Sequence, residues 1–321
     1  MTRRFTEFEL IEQLFAPLAG PAGLGLADDA ALLPAGEETV ATVDALVAGV
    51  HFFADDPPGA IAKKALRVNL SDLAAKGAEP LGFLLALALP QDWTNDWLAA
   101  FAQGLGEDAG SFSCPLLGGD TVKTPGPLTI SITALGCAKG RFVPRTGAKV
   151  GDGVFVSGTI GDAALGLRLR KDPALAARLS ASSRDFLLER YLLPRPRLEL
   201  ASQLRAGASA AMDVSDGLIG DLAKLARASK VAARVKLEDI PLSEAAREAL
   251  AFAPDLLETL LCGGDDYEIL ACGDARLFGV SPGGRRDFRR IGEIVAGEEP
   301  PRLVDERGNI IEFSALSFSH F

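Results

Sequence analysis

Histidine is nearly missing from this chain: only His51 and His320 occur in 321 residues. Cysteine is scarce too, and Cys114, Cys137, Cys262 and Cys272 form no CxxC pair. Zinc ribbons and thioredoxin-type motifs therefore lose the ligands they need, and buried free thiols are expected. Basic residues are in deficit, with 33 Lys plus Arg against 43 Asp plus Glu and a net charge of −10. Such a field repels a duplex unless cations or a basic patch intervene, and no basic block is present, so nucleic acid is not an expected partner. The longest apolar stretch, Leu81 to Leu89, falls far short of a membrane span, and the start MTRRFTEFEL has no signal-peptide core. The expectation is a cytoplasmic protein without membrane attachment. Walker A, HRD and DFG sequences are absent as well, which excludes the two commonest phosphoryl-transfer scaffolds.

What remains is an ordinary globular composition, 48% hydrophobic and 24% charged, on a chain long enough for two domains. Thr6 and Glu9 make a capping box that predicts a helix from about Glu7 to Leu18. Apolar or alternating runs at 38–44, 81–89, 115–117 and 128–136 predict strands, and helical spacing over 60–76 and 95–109 predicts helices between them. The Pro-, Gly- and charge-rich segment 141–152 marks a boundary, so domains are expected at 1–148 and 149–321. The second half repeats the mixture, with helices near 162–171, 183–192, 196–205, 217–228 and 243–252. Its strands are expected near 154–157, 232–237, 267–272 and 290–295. The fold class is mixed α/β.

Aspartates stand in unusual places. Asp28-Asp29, Asp44, Asp72, Asp120, Asp213, Asp216 and Asp265-Asp266 nearly all follow an apolar run or adjoin glycine. A single such Asp is ordinarily a turn residue or helix cap. As a set they can line the crevice at the strand ends of an α/β sheet. Two carboxylates ~4 Å apart repel by ~4 kcal/mol at an effective dielectric near 20, so a converged cluster needs cations or protons. Oxygen ligands without clustered His or Cys favour Mg²⁺, which usually arrives with substrate phosphates. Gly118-Gly119-Asp120 and Gly158-Thr159-Ile160-Gly161-Asp162 each offer backbone N–H groups to a phosphate, although tight turns also want glycine. Arg145 is a phosphate clamp or an exposed linker residue, and His51 is a packed side chain or a ligand contact. Trp93 and Trp97 read as core or interface packing.

In order, GLADDAALL, TVDALVAGVHF, KALRVNLSDLAAKGAEP, LLGGDT, RTGAKVGD, SGTIGDAALGL, DVSDGLIGDL, CGGDDYEIL and a final SHF resemble the thiamine-monophosphate kinase family. That family shares a superfamily with aminoimidazole ribonucleotide synthetase and selenophosphate synthetase. The resemblance spans essentially the whole chain. It implies an N-terminal α/β domain that binds ATP and Mg²⁺ and whose sheet pairs across a homodimer into a barrel, with a C-terminal α/β domain closing over it. By motif position it makes Asp29, Thr42, Asp44, Asp72, Asp120, Asp213 and Asp216 metal ligands, with Val43 offering its carbonyl. Gly119, Asp120, Arg145 and Ser215 become ATP contacts, and Asp44, Asp72, Asp120, Arg145 and Asp216 the catalytic set. His51 and Asp265 would meet thiamine monophosphate, with Phe313 or Phe318 stacking on it. Ala27 stands where the family usually has glycine, Asp265 replaces a commoner glutamate, and FAQGL lacks a tyrosine often placed near adenine. The implied reaction is direct in-line transfer from ATP. Its rivals are another enzyme of the superfamily and a non-catalytic nucleotide and metal sensor.

Overall fold

The computed structural model describes residues 9, 11–22, 38–274 and 287–313. The chain forms two compact units: Met1–Leu73 with Ala78–Gly140, and Ala74–Gly77 with Arg141–Phe321. Among the described residues no helix is long and apolar enough to cross a membrane. All four cysteines are free and buried, as expected, and burial pushes Cys114 up to about 12 and Cys262 up to about 11.

The first unit holds a four-stranded sheet of β1 (Thr39–Val47), β2 (Glu79–Leu89), β3 (Leu116–Lys123) and β4 (Thr129–Cys137), in the order β1-β4-β2-β3. Register decides which side chains share a face, because residues opposite one another across a ladder point the same way. Thr42 and Asp44 pair with Ala134 and Ile132, which pair in turn with Phe83 and Leu85. The last four are buried, and the helix Pro58–Ala75 lies on this side, since its Asn69 and Asp72 hydrogen bond to β1. Val43, Leu84, Ala86, Asp120 and Val122 belong to the other face through Thr133, Ser131 and the parallel β2–β3 ladder. That face is open: Val43 is 60% exposed and Val122 50%.

β3 runs through Gly118-Gly119-Asp120, well beyond the three residues its apolar run predicts. The ladder to β2 carries it on. A Cβ on Gly119 would come within 1.9 Å of the Leu85 carbonyl oxygen, so the close approach of the two strands demands glycine there. The predicted N-terminal helix appears, within the described residues, as a π turn Ile11–Phe15 followed by a 3₁₀ turn Ala16–Leu18.

The second unit holds a seven-stranded mixed sheet. Its strands are β5 (Gly153–Ser157), β6 (Ala208–Asp213), β7 (Ala232–Lys236), β8 (Ile269–Gly273), β9 (Phe288–Val295), β10 (Arg302–Val304) and β11 (Ile310–Ile311), in the order β11-β10-β7-β9-β5-β8-β6. β5 is buried at every position because both faces are covered. Val154 and Val156 pack with Leu165, Leu222 and Leu260 on one side, while Phe155 packs with Leu204, Ala211 and Ile269 on the other. β6, with the sequence ASAAMD, and the helix Leu256–Cys262 were not legible from periodicity. The alanine run has no β-branched residue, and the helix is only seven residues long.

Candidate active site

In the first unit the motif NLSD works as a bracket. Asn69 is fully buried, donates to the Ala65 carbonyl at 3.0 Å, and accepts the Asp44 N–H at 3.0 Å. One helical turn later Asp72 lies on the same face and accepts the Thr42 hydroxyl. Thr42, Asp44 and Asp72 are thus brought together, all half-buried. Asp120 is not with them: β3 is at the opposite edge of the sheet, and Asp120 is exposed on its open face. Val43 faces the open side as well, so only its backbone belongs with the Asp44 set. Just past β1, His51 accepts the Val47 N–H at Nδ1, 3.0 Å away, which makes Nε2 the donor nitrogen of the neutral ring.

In the second unit, the loops DVSDG and GGDDYE meet edge to edge. The Asp265 N–H donates to the Ser215 carbonyl at 2.8 Å, the Tyr267 N–H to Val214 at 2.9 Å, and the Val214 N–H to Glu268 at 2.8 Å. The second loop carries unusual backbone, with Gly264, Asp265 and Tyr267 all at positive φ, of +77°, +64° and +52°. Non-glycine residues there cost of order 1 kcal/mol or more each, and they persist where surrounding structure over-determines them. Asp221 holds the first loop by accepting the N–H groups of Ser215 at 3.0 Å and Asp216 at 2.9 Å. Lys224 bridges Asp221 and Asp216. Burial raises the Asp221 pKa, and Lys224 opposes that rise. Asp213, at the end of β6, is buried beside these loops.

Asp266 and Glu268 secure the second loop from beneath. Glu268 accepts the Ser157 hydroxyl at 2.6 Å, Arg190 at 3.1 Å and both Arg197 nitrogens at 2.7 and 2.5 Å. Asp266 accepts the N–H groups of Gly161 at 2.6 Å and Ala163 at 3.3 Å. The glycine loop SGTIGD therefore spends the Gly161 and Ala163 N–H groups on an internal carboxylate, so those two donors do not face a phosphate. Arg145 is exposed in the segment after Pro144, with its carbonyl accepting from Ser229 at 3.5 Å. Phe313 packs against the core of the second unit. Asp29 and Phe318 lie outside the described residues. Among the described residues no three His, Cys, Asp or Glu side chains gather as a metal cage.

Asn69, Asp221 and Glu268 were not singled out by residue type, and Asp266 was, but without its role as a buried acceptor. Their role is to accept particular backbone N–H groups or guanidinium nitrogens, and spacing shows this only in part: Asn69 precedes Asp72 by one turn, and Asp221 sits in the first turn of the helix Leu218–Ser229.

Asp266 also sets a pH dependence. Burial holds its carboxyl well above the ordinary range against the pull of the Gly161 N–H, and neighbouring Asp162 raises it further. The folded state therefore binds this proton more tightly than the unfolded state. The associated stability is complete below the ordinary carboxylate value of ~4 and is lost as pH rises through the raised folded value. Urea midpoints measured from pH 5 to 8 should fall more steeply for the natural chain than for Asp266→Asn, which has no such proton to lose. Parallel profiles would contradict this assignment.

Residues 27–138 match the AIR synthase related protein N-terminal domain, and residues 149–300 match the corresponding C-terminal domain. The chain belongs to that two-domain family. A thiamine-monophosphate kinase of Caulobacter vibrioides is 45% identical over 307 residues, covering 91% of this chain and 85% of the relative. The crystal structure of the Stenotrophomonas maltophilia thiamine-monophosphate kinase is 42% identical with a TM-score of 0.78, covering 87% and 89% of the two chains. AaThiL complexed with AMPPCP and TMP is 31% identical with a TM-score of 0.78 over 100% of both chains. Within the wider family, the chain belongs with the thiamine-monophosphate kinases.

Proposed function

We propose that this chain transfers the γ-phosphoryl group of ATP to thiamine monophosphate, giving thiamine diphosphate and ADP. The observation that carries the reading is the pairing of the Ser215-Asp216 loop with the strained Asp265 loop, in a chain similar along its whole length to a protein solved with AMPPCP and TMP. In this reading Asp29, Thr42, Asp44, Asp72, Asp120, Asp213, Asp216 and the Val43 carbonyl hold Mg²⁺. The donors are all oxygens, which suits that ion, and it would offset phosphate charge in the reaction. Gly119, Asp120, Arg145 and Ser215 hold ATP. His51, through Nε2–H, and Asp265 position thiamine monophosphate, with Phe313 or Phe318 against its rings. The domains are 1–148 for nucleotide, metal and dimer contacts and 149–321 for closure, and a cytoplasmic site accords with four unpaired thiols.

The acceptor explains the scarcity of histidine. A phosphate monoester has its second pKa near ~6, so its oxygen is already largely deprotonated at neutral pH and needs no strong base. What the protein must supply is alignment and charge compensation, which favours direct in-line attack with Arg145 assisting. ADP release should be rapid with thiamine monophosphate, and negligible with thiamine, formylglycinamidine ribonucleotide or selenide. Turnover confined to another member of that panel would replace this assignment, and ATP binding without any turnover would make the chain a sensor.

A homodimer is part of the same reading. β1 and β3 are sheet edges, and the open face carries Val43, Leu84 and Val122. A second copy over this face would bury those side chains. Light scattering at micromolar concentration should give twice the chain mass. A stable monomer would contradict it.

A further inference from the structure

Lys224 of the second unit stands on a carboxylate that the kinase reading gives to a metal. From the helix Leu218–Ser229 its ammonium donates to Asp221 Oδ1 at 2.8 Å and to Asp216 Oδ2. The other Asp221 oxygen is already taken, by the N–H groups of Ser215 at 3.0 Å and Asp216 at 2.9 Å. The Asp221 side chain is fully buried, whereas those of Asp216 and Lys224 are 36% and 31% exposed. The bridge therefore has a fixed end and a loose end. Asp221 anchors the ammonium, and solvent reaches the pair from the side of Asp216.

The ammonium is a stand-in ion, and it shows that Asp216 can hold a cation. Asp216 Oδ1 accepts no hydrogen bond among the described residues, so an oxygen is left for a hard divalent ion, which takes carboxylate ligands of this kind. Two cations in contact with one carboxylate repel each other strongly. A metal that binds Asp216 must therefore move the ammonium away. It need not expel it, because an ammonium has three donors and the bond to Asp221 Oδ1 is independent of Asp216.

We propose that Lys224 is a built-in counter-cation that competes with Mg²⁺ for Asp216, the metal entering as the ammonium turns off Asp216 while Asp221 retains it. The proposal rests on the reading of Asp216 as a metal ligand of the kinase. Lys224 then neutralises the DVSDG loop in the metal-free chain, and metal affinity is lower than the carboxylates alone would give. Once displaced, the ammonium remains beside the loop as an added positive charge for a phosphate that arrives with the metal.

The natural full-length chain, Lys224→Gln, Lys224→Arg and Asp216→Asn are stripped with a chelator, and thermal midpoints are followed during titration with Mn²⁺ in the absence of nucleotide. An ion that binds only the folded chain raises the midpoint according to its affinity. Glutamine can still donate a neutral hydrogen bond to Asp221 but brings no charge. Lys224→Gln should start from a lower midpoint yet respond to about fivefold less Mn²⁺ than the natural chain, the scale of one partly exposed ion pair that the metal no longer displaces. Lys224→Arg keeps the charge and should respond as the natural chain does, and Asp216→Asn should need more Mn²⁺.

A lysine that merely braces the loop would weaken the metal when lost. A folded Lys224→Gln chain that needs as much Mn²⁺ as the natural chain, or more, would therefore overturn the competition. If Lys224→Gln does not fold, the natural chain decides. Its Lys224 side-chain amine resonance, identified by its absence from Lys224→Arg, should move as Mg²⁺ is added, and a stationary resonance would overturn the proposal. A natural Mn²⁺ response in Asp216→Asn would remove Asp216 from the metal ligands and the proposal with it. Failure of the kinase reading shows separately, as a natural chain that makes no ADP with thiamine monophosphate.

Discussion

Replacing Glu268 with alanine is expected to cost about 3–5 kcal/mol of stability, the scale of removing one partner from a buried ion pair. The carboxylate is 1% exposed and satisfies Arg190, itself 2% exposed, together with Arg197 and the Ser157 hydroxyl. Without it the Arg190 guanidinium stays buried with an uncompensated charge, and its Nη1 already lacks a partner among the described residues. The loss should appear in the urea midpoint of the second unit. Glu189→Ala, which removes an exposed pair with Arg195, should lower stability by no more than about 1 kcal/mol. Activity should fall as well, because the side chain's bonds to Ser157, Arg190 and Arg197 hold in place the backbone at 268 that receives the Val214 N–H and joins the two loops that carry Ser215 and Asp265. Equal midpoints for the two variants would remove the network from any account of this fold.

Asp44→Asn and Asp72→Asn should each lower kcat/KM by at least about 10², a common cost of deleting preorganised charge stabilisation. Both changes keep side-chain shape. Asparagine at 72 can still accept the Thr42 hydroxyl, and asparagine at 44 leaves the backbone bond to Asn69 untouched. The effect should therefore be on transition-state charge rather than folding, with circular dichroism unchanged. ATP and a phosphate acceptor bring several negative charges to a site that already carries carboxylates, so the divalent-ion requirement should shift in the same variants. Near-normal turnover in either would separate these aspartates from the chemistry.

Local pattern was enough to place most elements. The period of two over 128–136 and the helical spacing over 60–76 and 95–109 correspond to β4 and to the helices Pro58–Ala75 and Asn95–Ser111 within a few residues. These patterns survive because each reports a single element meeting one apolar face. Elements without such a signature were missed: β6 is mostly alanine, and the glycines of β3 read as a turn until β2 supplied a ladder.

Composition and ordered motifs by themselves determined the class of chemistry, since oxygen donors without clustered His or Cys and the DVSDG and GGDDYE sequences need no coordinates to be read. Which carboxylates share a place was decided only by tertiary structure. Asp44 and Asp120 look equivalent as strand aspartates, yet strand order and register put them on opposite edges and opposite faces of one sheet. Asp265 and Asp266 are adjacent, yet one lies half-buried on a strained loop and the other is sealed beneath it against Gly161 and Ala163. The physical reason is common to both cases: a side chain's direction follows from backbone pairing with residues remote in sequence, and a shift of one position reverses the face it occupies.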